Sequence, residues 1–201
     1  DVKRIPDLAG VSVSDEGALR IGATATHRQI GRSPLVRTGW PTLAYIEQHV
    51  ANVRVRTVGT LGGNLCFADP HSDPATWLLV ADATVELARG EARRTMPVAE
   101  FLRGPWETAL VLGELLVAVS VPPLPGHVGM AHMRFATHER PTATVSCMVR
   151  VADGAIAEAR VAVGSVGPRH VRVPAAEALL VGVRAADPDS ATLDAAGSLA
   201  A

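Results

Sequence analysis

The sequence predicts an α+β fold in two unequal parts, and three observations carry that reading. Short apolar runs with strand alternation, such as Val117, Val119 and Val121, recur along the chain. Prolines stand where helices begin, at Pro34, Pro41, Pro74, Pro97 and Pro174; their fixed φ suits a first turn, and the missing N–H is no loss there. The cluster Pro122, Pro123, Pro125, Gly126 then separates a larger segment, residues 1–124, from a smaller one, residues 125–201, which holds a hairpin signal at Asp153-Gly154. At 201 residues and 48% apolar the chain can bury a sizeable core, and at 3% aromatic that core has to be aliphatic.

In chain order, Leu19 to Ala23 reads as a strand, followed by a helix opening at Thr26. Pro34 and Pro41 open two more helices, the second with Leu43, Ala44, Ile46 and Val50 at helical spacing. Arg54 and Arg56 form a basic pair in a strand-like run, read as a solvated face. Asp73 and Pro74 read as the N-cap and first residue of a helix through Ala81. Ala83 to Ala88 is expected as a strand partnered by Arg93 to Met96. Pro97 is expected to start a short helix ending near Gly104, and Leu115 to Val121 to be a half-buried strand. Beyond the linker, Met130 to Thr137, Val145 to Val151 and Ile156 to Val163 read as strands. Pro174 to Val181 reads as a helix stopped at Gly182, and Ser190 to Ala201 as a helix behind Asp189. The smaller part is therefore expected to be an antiparallel sheet with helices on one face.

The stretch Gly59-Thr60-Leu61-Gly62-Gly63-Asn64, continuing through Ala68-Asp69-Pro70-His71-Ser72-Asp73-Pro74, is the most informative in the chain. Its glycines permit sharp turns and close backbone approach to a ligand. Successive free N–H groups in such a turn would suit a phosphate or pyrophosphate, and the polar side chains that follow would suit a sugar or ring edge. A plain tight turn is the bland alternative. The spacing is not the nicotinamide G-x-G-x-x-G, and no Walker lysine follows Gly63.

Other chemistries find little support. The 19 basic and 20 acidic residues balance to a net charge of −1, which gives no drive toward nucleic acid or an anionic membrane. No apolar run approaches a membrane span, and no secretory signal is visible. Cys66 and Cys147 cannot hold an iron–sulfur cluster by themselves, and a reduced, cytoplasmic setting is the simpler reading. The histidines, His27, His49, His71, His127, His132, His138 and His170, form no H-x-x-x-H or H-E-x-x-H pair, so no metal site is expected. His71 lies inside the motif, where it either flanks a ligand or faces solvent. Nothing in the spacing supports a catalytic triad at Ser72 and Asp73.

The run VRTVGTLGGNLCFADPHSDPATWLLVADATVEL closely resembles a flavin-binding segment of molybdenum hydroxylase FAD domains. These are the medium subunits of the carbon monoxide dehydrogenase type and the central domain of xanthine dehydrogenase. Thr60, Gly62, Gly63, Asn64, Ala68, Asp69, Pro70, Ser72 and Asp73 match that pattern. DVKRIPDLAG, LRIGATATH, GELLVAVSVP and RVAVGSVGPRHVRVPAAEALLVG extend the likeness over essentially the whole chain.

The resemblance implies the larger lobe of a PCMH-type FAD-binding domain over residues 1–124. It implies a carbon monoxide dehydrogenase flavoprotein C-terminal-type domain over 125–201. It implies FAD as cofactor, contacted by Gly59, Thr60, Leu61, Gly62, Gly63, Asn64, Ser72 and Asp73. For Asp73 helix capping is the alternative. Leu116 is implied to pack on the flavin, with a plain core role as alternative. Arg134 is implied to lie near a flavin-contacting lysine position, with a surface ion pair as alternative.

No side chain is implied as a catalytic acid or base. The partners implied are a large molybdopterin subunit and a small subunit with two [2Fe–2S] clusters, in a dimer of heterotrimers. Electrons would leave to NAD⁺, oxygen or a quinone. An earlier A-G-G-T/H-x-L motif and a later S-A-E-Y-R segment are not found in this sequence, so it reads as an internal fragment expected to bind FAD weakly or not at all in isolation. A cofactor-free assembly module is one alternative. Another flavoprotein of the superfamily, such as an enolpyruvoylglucosamine reductase, is a second.

Overall fold

The computed structural model describes residues 2–137 and 139–201; Asp1 and His138 lie outside the described residues. A 3-10 turn at Pro6–Leu8 leads into β1 (Val11–Val13) and β2 (Leu19–Gly22). Thr26 caps α1 (His27–Arg32): its hydroxyl accepts from Gln29 N, and the Gln29 side chain accepts from Thr26 N. α2 (Pro34–Gly39) and α3 (Pro41–His49) begin on their prolines. α4 (Val53–Val58) corrects the strand-like reading of the Arg54–Arg56 run. Asn52 Oδ1 accepts from Arg54 N and Val55 N, so a cap starts a helix where the valines by themselves favour extension. α5 (Leu61–Phe67) and α6 (Asp73–Val80) follow.

β3 (Thr84–Arg89) and β4 (Ala92–Pro97) form a hairpin, as expected. The helix after Pro97 is only α7 (Val98–Phe101); the chain then turns into a small hairpin of β5 (Leu102–Gly104) and β6 (Glu107–Thr108). Trp106 N donates to Ala68 O at 2.9 Å, which ties that hairpin to the end of α5. β7 (Leu115–Val121) completes a five-stranded sheet in the order β1-β2-β7-β3-β4, antiparallel at every pairing. The half-buried reading of β7 is corrected: it is the central strand, and Leu116 through Val119 are all buried.

After the exposed linker come β8 (Val128–Phe135), β9 (Ala143–Ala152), β10 (Ala155–Gly164) and β11 (Val171–Arg172), an antiparallel sheet in the order β11-β10-β9-β8. Asp153 and Gly154 both have positive φ, 51° and 77°, which matches the turn to the twist of its strands. α8 (Pro174–Leu180) and α9 (Ser190–Ala200) pack with Ala159 and Val161 of β10 into one apolar cluster. Met148 and Ala162 belong instead to the core of the larger part. Between the two sheets runs α6, all eight of its residues buried, in contact with β9 and β10. Thr76 of α6 and Thr144 of β9 share a buried hydroxyl–hydroxyl bond of 2.9 Å. A helix apolar nearly all round requires such cover on every side.

Candidate functional site

The Gly59–Asn64 segment is the first turn of α5 rather than an open turn. Gly59 N donates to Val55 O at 2.6 Å, and Leu61 N and Gly62 N donate to Ala25 O and Ala23 O, both at 3.1 Å. Gly63 N donates to Thr60 Oγ1 at 3.0 Å and Asn64 N to Thr60 O at 2.9 Å. The expected row of free N–H groups is therefore corrected: Thr60 caps the helix, and the segment docks on the end of β2, which uses those donors. Gly62 and Gly63 have no positive φ. What their positions require is space. A Cβ on Gly62 would lie 2.6 Å from Ala23 O, and one on Gly63 2.9 Å from Thr60 Oγ1.

Left-handed Ala68, φ 51°, ends α5 and turns the chain back. Asp69 Oδ1 accepts from His71 N at 3.0 Å, which fixes the turn, and Ser72 Oγ donates to Asn64 Oδ1 at 2.6 Å. The N-cap of α6 is Ser72, without a side-chain cap bond, so Asp73 is not the capping residue. Its carboxylate points elsewhere, toward Arg134 and His132 of β8. Arg134 Nη1 lies 3.3 Å from Oδ2, and His132 Nε2 lies 3.6 Å from Oδ1. Arg134 is itself held by His49 O and Glu139 O, each at 2.9 Å. Asp73 is 6% exposed, and its Oδ1 has no hydrogen-bond partner among the described residues.

A cavity of about 460 Å³ opens over these groups. Gly59, Thr60, Gly63 and Asn64 line one wall, Ser72 and Asp73 another, and Glu139, Arg140 and Pro141 the side toward the second sheet. Val50, Val55, Val58 and Phe67 supply apolar surface. Arg140 pairs with Asp69 at 2.9 Å, and His71, also lining the cavity, donates from Nδ1 to Pro141 O at 2.9 Å. Leu61 and Gly62 are buried behind the wall, Leu116 is buried in the core on β7, and Arg134 reaches the site through Asp73. Sequence reading missed His27, which also lines the cavity, and its partner Glu47. The helix opening read at Thr26 located the start of α1 but not the direction of the His27 ring; no local signal placed residues so distant in sequence around one space.

Residues 1–124 match the family described as FAD binding domain in molybdopterin dehydrogenase, and residues 131–201 match the CO dehydrogenase flavoprotein C-terminal domain. The chain belongs to the FAD-binding family of molybdopterin dehydrogenases. Among its relatives, the xanthine dehydrogenase FAD-binding subunit of Escherichia coli O157:H7 is 32% identical over 181 residues, 88% of this chain and 62% of that protein. The carbon monoxide dehydrogenase medium chain of Hydrogenophaga pseudoflava is 29% identical over 185 residues, 90% of this chain and 64% of that protein. The chain thus spans less than two thirds of the length of these curated relatives. Among solved structures, carbon monoxide dehydrogenase from Hydrogenophaga pseudoflava superposes with a TM-score of 0.91 at 29% identity, over 98% of this chain and 68% of that one. Quinoline 2-oxidoreductase from Pseudomonas putida 86 does so with a TM-score of 0.91 at 29% identity, over 100% and 69%. The family and its α+β architecture are those the motif implied.

Proposed function

We propose that the chain is the FAD-binding, electron-transfer subunit of a molybdopterin-dependent hydroxylase or dehydrogenase. Its FAD would lie in the cavity over α5 and the start of α6. The observation that carries the site is the buried Asp73 carboxylate at the cavity wall, paired through Oδ2 with Arg134, while Oδ1 faces His132 Nε2 at 3.6 Å without a hydrogen bond. An unpaired buried acceptor is costly, and a ring N–H or sugar hydroxyl of the cofactor would satisfy it.

The remaining groups fit as well. Thr60 keeps its hydroxyl hydrogen and Asn64 its amide NH₂ as donors, while the valines and Phe67 offer apolar surface to a ring. In this reading Gly59, Thr60, Gly63, Asn64, Ser72 and Asp73 face the cofactor, Leu61, Gly62 and Leu116 support the wall, and Arg134 positions Asp73. When bound, FAD supplies the redox chemistry that joins an iron–sulfur donor to an external acceptor. The chain binds it, orients it and excludes water.

We read residues 1–124 as the cofactor domain and 125–201 as the C-terminal domain. The partners would be a large molybdopterin subunit and a small iron–sulfur subunit in a cytoplasmic dimer of heterotrimers. The name of the medium-chain relative supports membership of a multi-subunit complex. Among the described residues no helix is long and apolar enough to cross a membrane.

Titration of FAD into the purified chain, followed by quenching of flavin fluorescence, tests the reading. Saturable binding is expected, weakened roughly tenfold or more by Asp73→Ala, the size of one lost charge-assisted hydrogen bond. Absence of saturable binding by the unsubstituted chain would overturn it. For the assembly, co-expression with a molybdopterin subunit and an iron–sulfur subunit from the same source should yield one complex, and recovery of this chain alone would refute it.

A further inference from the structure

We infer that His27 contacts the phosphate groups of the bound cofactor and that Glu47 positions its ring; the inference rests on the FAD reading above. The argument begins with a shortage. The backbone N–H groups of Gly59, Leu61, Gly62, Gly63 and Asn64 are committed inside the protein, so an anionic group at this wall would be met largely by the Thr60 N–H and by side chains, of which Lys3, His27, His71 and Arg140 are the basic ones lining the cavity. His27 stands at that wall. It is 2% exposed and lines the cavity, and its backbone N donates to Gly59 O at 3.1 Å. Gly59 leaves the ring room: a Cβ there would lie 3.2 Å from His27 Cδ2.

Behind the ring, Nδ1 donates to Glu47 Oε2 at 2.6 Å, and Glu47 is fully buried. An ionised carboxylate can only accept, so it fixes the hydrogen on Nδ1 and leaves Nε2 for the cavity. The ring's hydrogen bond to Glu47 is made through Nδ1, not Nε2. When Nε2 is protonated the ring offers an N–H donor and a positive charge, which Glu47 balances from behind. A buried histidine backed by a buried carboxylate and lining an open space has a fixed ring, and it donates from Nε2 only as the imidazolium. Glu47 Oε1 is itself without a hydrogen-bond partner, so the dyad is not a fully satisfied structural link between α1 and α3.

The experiment uses the whole chain with histidine ring nitrogens labelled with ¹⁵N. Addition of ADP, a pyrophosphate ligand without the flavin, should move the His27 Nε2 resonance, and Glu47→Gln should move the Nδ1 resonance before any ligand is added. His27→Gln should weaken FAD and ADP roughly tenfold or more at unchanged circular dichroism. If the unsubstituted chain binds FAD while Nε2 stays in place with ADP, the phosphate contact is wrong and the FAD reading survives. If His27→Gln binds FAD as tightly as the original, the role of His27 is likewise excluded. If the unsubstituted chain binds no FAD, both readings fall. Should the substituted chain not fold, the resonance measurement on the original chain decides alone.

Discussion

Thr60 shows how a single side chain serves both fold and site. Its hydroxyl accepts from Gly63 N, its carbonyl accepts from Asn64 N, and the residue lines the cavity. The neighbouring glycines then separate by what a methyl group would meet. Gly62→Ala would press a Cβ into backbone at Ala23, so we expect a loss of about 1–3 kcal/mol of stability by denaturant titration. Gly63→Val meets only the Thr60 hydroxyl and faces the cavity. It should abolish flavin retention while circular dichroism stays unchanged, and a normal flavin content would remove Gly63 from the site.

His170 carries the pH dependence. Burial pushes its imidazole down from 6.5 to about 4, against a backbone hydrogen bond to Ser72 that raises it. Between those values the unfolded chain binds the extra proton, so stability is full above about 6.5 and declines as pH falls toward about 4. The shift corresponds to about 3 kcal/mol. A falling midpoint of unfolding across that window, flattened by His170→Gln, is expected; a flat profile in the original chain would contradict it.

At the scale of elements, α6 organises the molecule. Its Trp77 is fully buried, and Met148 and Ala162 of the second sheet share its core cluster. Trp77→Ala should therefore cost about 3–5 kcal/mol, read from the denaturation midpoint. α4 depends on its cap more than on its residues, since Val53 and Val58 are exposed and gain little from burial. Asn52→Ala removes the acceptor for two N–H groups and should cost about 1 kcal/mol. Because Val55 and Val58 of this helix line the cavity, the same substitution should also weaken FAD binding. Unchanged affinity would show that α4 does not shape the site.

On the scale of the whole molecule, the two parts are joined by more than the linker. Arg134 and His132 of the second sheet close on Asp73, Thr144 bonds Thr76, and Ser165 N donates to Pro70 O at 3.0 Å. We expect one cooperative unfolding transition, with tryptophan fluorescence and far-ultraviolet dichroism coincident. A chain cut by a protease site inserted between Pro122 and His127 should still migrate as one species in gel filtration. Two separated fragments would show that the parts are independent.

Much of this was legible in the sequence because it is local. Proline at first turns, Thr26, Asp153-Gly154 and Gly182 each act within a few residues, so many elements could be read directly, and the G-T-L-G-G-N motif pointed to a cofactor family. The exceptions have a common physical cause. Residues 53–58 became helix through a cap at Asn52, β7 became central because strands from both flanks pair with it, and the glycine segment spent the N–H groups of Leu61 and Gly62 on Ala25 and Ala23. The direction of the Asp73 carboxylate was set by Arg134, more than sixty residues away, and that of His27 by Glu47 on another helix. The sequence by itself determined most of the element types and the family. Only the tertiary structure decided which donors were already used, which polar atoms were left unpaired and which distant side chains share the cavity, because those depend on contacts between segments that no local pattern encodes.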